Sequence, residues 1–368
     1  MEVVCPTASI CSGCSSWGTP LHQQRQQKQT RFLELLRGQG LSEPKDLSWA
    51  RLPGFRLRDR LDFQIQQGRL GLWNKDRTEI LDLPACLQLS PSLESWFLEF
   101  RTVRLPIERG SFRLRINARG DKGLWLDLSN QDVKALFEER STLERLASMA
   151  NVIEIGQRRK HFRFEKQTPK LLKDPVFHPW TETWLGETPF PLLSRIGDFS
   201  QVGSQANREI IRSLLGLVPE SHNLVEFGSG TGNLTFAAAA KAKNLKAYEF
   251  DQSSALAFQA NQQAFEKLSG NSGIQIKLKV GNFQTTAVDL KNCDTVLVNP
   301  PRSGLGSFLK ELPSSPVQNL VYMSCFPESM VQDLRANLAG WRCQKLILID
   351  QFPQTEHLEV MGLWTRHG

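Results

Sequence analysis

The sequence predicts an α/β protein whose C-terminal half is a Rossmann-like domain with a mostly parallel, doubly wound sheet, preceded by an N-terminal α+β domain. Three observations predict it. From about Ser204 onward, short apolar segments alternate with helical segments, which is the pattern of a parallel sheet wrapped by helices. A glycine-rich turn, VEFGSGTGN, lies between one such strand and the next helix. Before that point the texture differs: stretches such as FRLRDRLDFQIQ alternate apolar and charged residues, as half-buried antiparallel strands do. The boundary is placed near 195–200, giving domains 1–195 and 196–368.

Each element follows from its pattern. The first 18 residues, rich in Cys, Ser and Gly, read as a loop around a ligand; residues 21–38 read as a helix ending at a glycine. Residues 55–82 and 98–128 read as strands, 131–148 as helix, and 150–195 as mixed, with proline-rich turns near 169–191. In the second half, helices are expected at 204–217, 233–242, 252–268, 305–311 and 327–338. Strands are expected at 223–227, 246–250, 275–280, 294–299, 319–324 and 343–350.

The formal net charge of +7 favours an anionic partner, most commonly nucleic acid. The N-terminal segment lacks a basic stretch followed by an apolar core, and no apolar run is long enough for a membrane helix, so a cytoplasmic protein without membrane association is expected. Seven cysteines in a reducing compartment point to metal or catalysis rather than disulfides where they cluster.

Four motifs carry chemistry. Gly228, Gly230 and Gly232 let a ligand approach the backbone at a helix N-terminus, and Glu249, one strand later, is placed to accept hydrogen bonds from ribose hydroxyls. The E-x-G-x-G-x-G pattern from Glu226, that carboxylate and the motif at residue 299 together favour S-adenosylmethionine over a dinucleotide. Asn299-Pro300-Pro301-Arg302 ends a strand, where open α/β sheets place their active sites; two prolines stiffen the loop and Arg302 adds an anion-binding group. Cys325 follows a strand and precedes a helix, whose N-terminus would favour its thiolate. Glu356, His357 and Glu359 offer a base near the C-terminus. A thiolate and a base at one site suit covalent catalysis at carbon 5 of a uracil. Finally, Cys5, Cys11 and Cys14 with the distant Cys86 suit a structural zinc or an iron–sulfur cluster.

These residues resemble the RNA (uracil-5-)-methyltransferase family. The segments FSQV at Phe199–Val202, Glu226–Gly232, VNPPR, SCFPESM and FPQTEHLEV occur in the family's order and spacing, and the four cysteines extend the likeness over nearly the whole chain. The start without a β-barrel TRAM domain, and the Asn of VNPPR, are similar to the compact bacterial members that act on 23S rRNA. The resemblance implies a class I methyltransferase domain behind an iron–sulfur, RNA-binding domain. It also implies that Cys325 is the nucleophile and Glu359 the base, and that Gln201, Gly228, Gly230, Glu249 and Asn299 contact S-adenosylmethionine. Cys5, Cys11, Cys14 and Cys86 would then hold a 4Fe–4S cluster. The sequence departs from the family at Gly203 (usually Asn), Glu226 (usually Asp) and Phe326 (usually Asn). It departs again at Gln354 and Glu356, where histidines are usual.

The expected partner is RNA, 23S rRNA ahead of tRNA, bound by a monomer. Arg56, Arg58, Arg60, Arg113 and Arg115, with residues 158–166, are candidates to hold phosphates, and Phe162 and Phe164 to stack on bases. The alternatives are an Asn-Pro-Pro amino-methyltransferase and a non-catalytic iron–sulfur RNA-binding protein.

Overall fold

The computed structural model describes residues 5–129, 131–157, 160–165, 168–171, 176–269, 273–281, 289–338 and 340–366. The chain divides into two compact units. The first comprises Met1–Gly18, Pro53–Thr181 and Ser194–Ser204; the second comprises Thr19–Leu52, Glu182–Leu193 and Gln205–Gly368. The division is therefore not a single cut near 195, because Thr19–Leu52 belongs with the C-terminal half. The reason is local to the second unit. Strand Asp46–Trp49 pairs in parallel with strand Trp341–Ile349, and helix Leu21–Gly38 contributes Phe32 and Leu36 to the same core.

The second unit is built on an eight-stranded sheet. Its spatial order is Asp46–Trp49, Trp341–Ile349, Glu359–Arg366, Asn319–Ser324, Thr295–Val298, Ser221–Phe227, Ala242–Glu249, Gln275–Val280. All neighbours are parallel except at Glu359–Arg366, which runs antiparallel to both flanking strands. From Ser221–Phe227 the chain first winds outward through the next two strands. It then returns to place Thr295–Val298 on the other side. That reversal is a topological switch point, where the loops at two strand ends separate and leave a crevice. Buried Val, Leu, Phe and Tyr side chains of the central strands, with Met330, Val331 and Leu334 of helix Pro327–Asn337, form the core beneath it.

Helix Leu21–Gly38 also fixes the long turn after Trp341–Ile349. Lys28 Nζ donates to Asp350 Oδ1 at 2.6 Å, and Arg25 Nε lies 3.3 Å from Asp350 Oδ2. Gln24 donates to Gln354 Oε1 at 2.8 Å and accepts from the Gln354 backbone N–H at 2.9 Å. Both Lys28 and Asp350 are buried, so this pairing specifies where the turn sits more than it adds net stability.

The first unit holds a second eight-stranded sheet, ordered Ile80–Asp82, Arg69–Trp73, Arg60–Gln66, Arg109–Ile116, Lys122–Asp127, Val152–Gln157, Lys160–Glu165, Thr168–Leu171. Only the pair Lys122–Asp127 and Val152–Gln157 is parallel. Phe63 stacks between Phe97 and Phe112 on its apolar face. Residues 98–100, expected to be strand, complete helix Pro91–Phe100, started by the Ser90 cap and Pro91.

The alternating arginines of this sheet do not form an open phosphate-binding face. Segment 195–200 lies against them. Arg115 is buried and donates towards the Arg195 and Ile196 carbonyls, Arg113 donates to the Gly197 carbonyl at 2.6 Å, and Arg60 donates to the Ser200 carbonyl at 3.1 Å. Arg56 pairs with Glu94 and Arg58 is turned towards the cysteines. Alternation revealed a two-faced sheet but could not show that the charged face would be covered by backbone carbonyls. Phe162 and Phe164 likewise pack edge-on against Phe137, on the core rather than on a base platform. Positions 158, 159 and 166 of the basic stretch lie outside the described residues. Among the described residues no helix is long and apolar enough to cross a membrane.

Candidate active site

The crevice of the second unit is assembled from three strand ends. After Ser221–Phe227 the glycine loop turns into helix Asn233–Ala238. Gly228 has φ +74°, and a Cβ there would stand 3.1 Å from the Asn299 carbonyl oxygen. Only glycine therefore lets these two loops approach so closely. The Gly230 N–H donates to Glu249 Oε2 at 2.7 Å, and the Asp251 N–H donates to Glu249 Oε1 at 2.7 Å. Glu249 thus closes the strand Ala242–Glu249 with its carboxylate fixed beside the glycine loop, keeping lone pairs for a nucleoside. Glu226 is buried beneath the loop; it accepts from Thr235 Oγ1 at 2.5 Å, and its Oε1 has no partner. Burial pushes its pKa up to about 8.

Asn299 is half-buried and its backbone N–H points to the Phe227 carbonyl. The loop that follows is held by helix Pro327–Asn337. Asp333 Oδ2 accepts from the Leu305 N–H at 2.8 Å and from the Tyr322 hydroxyl at 2.7 Å. Gly304, with φ +79°, leaves no room for a Cβ against that carboxylate. The anchored loop delivers Arg302, whose side chain hydrogen-bonds Cys325.

Cys325 and Glu359 meet through strand register. Ser324 pairs with Val360 and Ile349 pairs with Glu359, so the residue after Ser324 stands opposite the first residue of the antiparallel strand. The antiparallel direction is what brings a strand's N-terminus to the edge where the parallel strands end. Burial drives the Glu359 pKa up to about 7, opposed by a hydrogen bond from Gln351 Nε2 to Glu359 Oε2 of 2.6 Å. Its charge is felt at Cys325.

The expected bias of Cys325 towards thiolate is reversed. Its pKa lies above the ordinary thiol value because burial and the Glu359 charge outweigh Arg302. Of the other C-terminal candidates, Glu356 is exposed beside Arg31, and His357 packs its ring against Phe352. Neither is coupled to Cys325 in the way Glu359 is. Phe326, at the family's Asn position, is 38% exposed, with its backbone clasped by Ser324 and Ser329. Gln201 belongs to the first unit, where it is half-buried. Gln351 was not anticipated; a glutamine between Asp350 and Phe352 carries no signal before its burial beside Glu359 is known.

In the first unit, Cys5, Cys11, Cys14 and Cys86 line one cavity of about 170 Å³, together with Arg58, Trp17 and Leu72. Cys14 feels the charges of the other three cysteines; its pKa is pushed up to about 12, chiefly by burial. Arg58 faces Cys86 and Cys14. Among the described residues no group of three or more His, Cys, Asp or Glu side chains is placed to hold a metal ion.

Comparison with known proteins places this geometry. Residues 195–367 match the profile of the family described as tRNA (Uracil-5-)-methyltransferase. An RNA methyltransferase of Bdellovibrio bacteriovorus, described as uncharacterized, is 41% identical over 99% of this chain and 95% of its own length. The chain belongs to the RNA (uracil-5-)-methyltransferase family. This methyltransferase is also similar, at 26% identity over 98% of its length and 76% of the relative's, to the 23S rRNA (uracil(1939)-C(5))-methyltransferase of Chromohalobacter salexigens. Its fold matches the Pyrococcus abyssi tRNA (uracil-54, C5)-methyltransferase, solved with S-adenosyl-L-homocysteine. The TM-score is 0.69 at 18% identity, covering 96% of this chain and 86% of that one.

Proposed function

We propose that this methyltransferase transfers a methyl group from S-adenosylmethionine to carbon 5 of a specific uridine in 23S rRNA. The observation that carries the reading is the register that sets Cys325 opposite Glu359 at the sheet edge, beside the Asn299–Arg302 loop. Gly228, Gly230, Glu249 and Asn299 would hold the donor; Gln201 is a further donor-contacting position by the resemblance alone. S-adenosylmethionine, when bound, supplies an electrophilic methyl group. Cys325 adds through sulfur to carbon 6 of the uracil, raising electron density at carbon 5, which takes the methyl group. Arg302 stabilises the thiolate that burial disfavours. Glu359 then removes the carbon-5 proton. The C–H electron pair becomes the C5–C6 double bond, the C6–S bond breaks, and its electrons return to Cys325 as thiolate.

The choice of rRNA rests on the likeness, over nearly the whole chain, to relatives named for 23S rRNA. Incubation with S-adenosylmethionine and either 23S rRNA or tRNA, followed by mass-spectrometric mapping, should give 5-methyluridine in the rRNA. The modification appearing in tRNA alone would overturn the substrate class, and an N-methylated base would overturn the chemistry.

The four cysteines of the first unit are proposed to hold a 4Fe–4S cluster; their chemistry and shared cavity support that reading. Four thiols surround one cavity and Arg58 supplies a compensating positive charge. Cys5, Cys11, Cys14 and Cys86 would hold the cluster, which would tie the N-terminal segment to the sheet. Protein purified anaerobically should be brown, with broad absorbance near about 400 nm that Cys86→Ser removes. Colourless protein containing stoichiometric zinc would sink this assignment.

A further inference from the structure

Gln351 contacts Glu359 from the turn that follows strand Trp341–Ile349. Both side chains are buried, and Gln351 Nε2 donates to Glu359 Oε2 at 2.6 Å. The other end of the same amide, Oε1, is buried with no hydrogen-bond partner among the described residues. A buried carbonyl oxygen left unpaired is costly, and native proteins keep few of them. The turn cannot drift to relieve it. Asp350 is pinned by Lys28 and Arg25, and Gln354 by Gln24.

An amide has what a carboxyl group needs in both of its protonation states. Its N–H donates to a carboxylate; its oxygen accepts from a carboxylic O–H. We infer that Gln351 is a positioning residue that holds ionised Glu359 through Nε2 and, by turning its amide over, holds protonated Glu359 through the otherwise unpaired Oε1. The inference rests on the reading of Glu359 as the base that takes the carbon-5 proton. On that reading the base gains one proton per turnover while buried. The amide gives the new O–H an acceptor and prevents the carboxyl group from rotating away from carbon 5. The other groups around Glu359 are Cys325 from the neighbouring strand end, with Arg302 facing that cysteine from the 299–305 loop. His357 lies on the same turn, packed on Phe352, and the Asp350 charge is matched by Lys28 and Arg25.

The test is Gln351→Met, which keeps the bulk and removes donor and acceptor, compared with Gln351→Asn, which keeps an amide. Steady-state methylation, release of tritium from 5-tritiated uridine in RNA, and the fraction of enzyme covalently bound to RNA are followed from pH 5.5 to 9. The charge-assisted bond to the carboxylate is the stronger of the two, so loss of the amide should raise the pH midpoint of tritium release by about one unit. It should lower kcat about tenfold or more at neutral pH with KM for RNA unchanged, and raise the adduct fraction. The Asn variant should recover part of the midpoint shift. A Met variant with the wild-type midpoint and adduct fraction would overturn the inference, as would a rise in KM that accounts for the whole loss. Should the Met variant not fold, Gln351→Leu is put through the same measurements, with the same shift in midpoint and adduct fraction expected and a wild-type midpoint and adduct fraction overturning the inference. Failure of the underlying reading is separately visible: Glu359→Gln would then release tritium at the wild-type rate.

Discussion

Replacing Glu359 by Gln is expected to stop the reaction after methyl transfer, leaving enzyme and methylated RNA joined through Cys325. The amide has nearly the same shape and can still pack beside Gln351, so binding and the first bond-forming steps survive. What is lost is an acceptor for the carbon-5 proton, and without it the C6–S bond does not break. Turnover should fall about a thousandfold, within the range for removal of a positioned general base. One methyl group per enzyme should still transfer in a single turnover, and the product should migrate with protein on a denaturing gel. The wild-type pH profile follows from the same burial. In its proposed role Glu359 is a base only when ionised, and its pKa stands at about 7, so proton removal should be full above that pH and decline below it. Glu356→Gln is the control: that side chain is exposed and its loss should change turnover little. Turnover of Glu359→Gln within tenfold of wild type, or rapid turnover without a trapped adduct, would remove Glu359 from the role.

Much of this site was legible before any coordinates. Alternating strands and helices predicted the parallel sheet, and chemistry-bearing residues gathered at strand ends: Gly228 after one, Asn299 after another, Cys325 after a third. Strands Gln275–Val280 and Asn319–Ser324 occur at the residues their patterns indicated. The final strand, Glu359–Arg366, was not read, because its residues VMGLW are continuously apolar and say nothing of direction. Direction is what matters there: an antiparallel last strand is the reason a residue so near the C-terminus faces Cys325. Strand Asp46–Trp49 was missed for a related reason, being four residues long and stabilised by pairing with a strand almost 300 positions away. The arginines of the first unit illustrate the opposite error. Period-two charge predicts a polar face, but whether water or the carbonyls of residues 195–200 solvate it is a tertiary fact. The raised thiol pKa is tertiary as well, since it depends on the burial and on Glu359 rather than on the helix that follows.

Cys325→Ala should have the largest effect of any single substitution, and its pattern separates covalent catalysis from the amino-methylation that an Asn-Pro-Pro loop also serves. An amino group attacks an activated methyl directly and needs no thiol. Uracil carbon 5 is too weakly nucleophilic without prior addition at carbon 6, so the alanine variant should lose at least about ten-thousandfold in turnover. It should also form no adduct with 5-fluorouridine RNA while keeping its affinity for RNA. Cys293→Ala and Cys343→Ala supply the comparison: both thiols are buried and lie near backbone carbonyls in the core. Their loss should leave the rate of methyl transfer unchanged in folded protein. Cys325→Ser should be nearly as inactive as alanine, because a hydroxyl is far harder to ionise than a thiol in the same pocket. The remaining acidity argument concerns pH. With the thiol held above its ordinary range by burial and by ionised Glu359, formation of the wild-type adduct should accelerate from neutral into alkaline solution. Glu359→Gln removes the opposing charge, so its adduct should form at lower pH than that of wild type. The charge of ionised Glu359 is felt at Cys325. Retained methylation in Cys325→Ala, or an adduct pH profile that Glu359→Gln leaves in place, would break the pair that gives this site its chemistry.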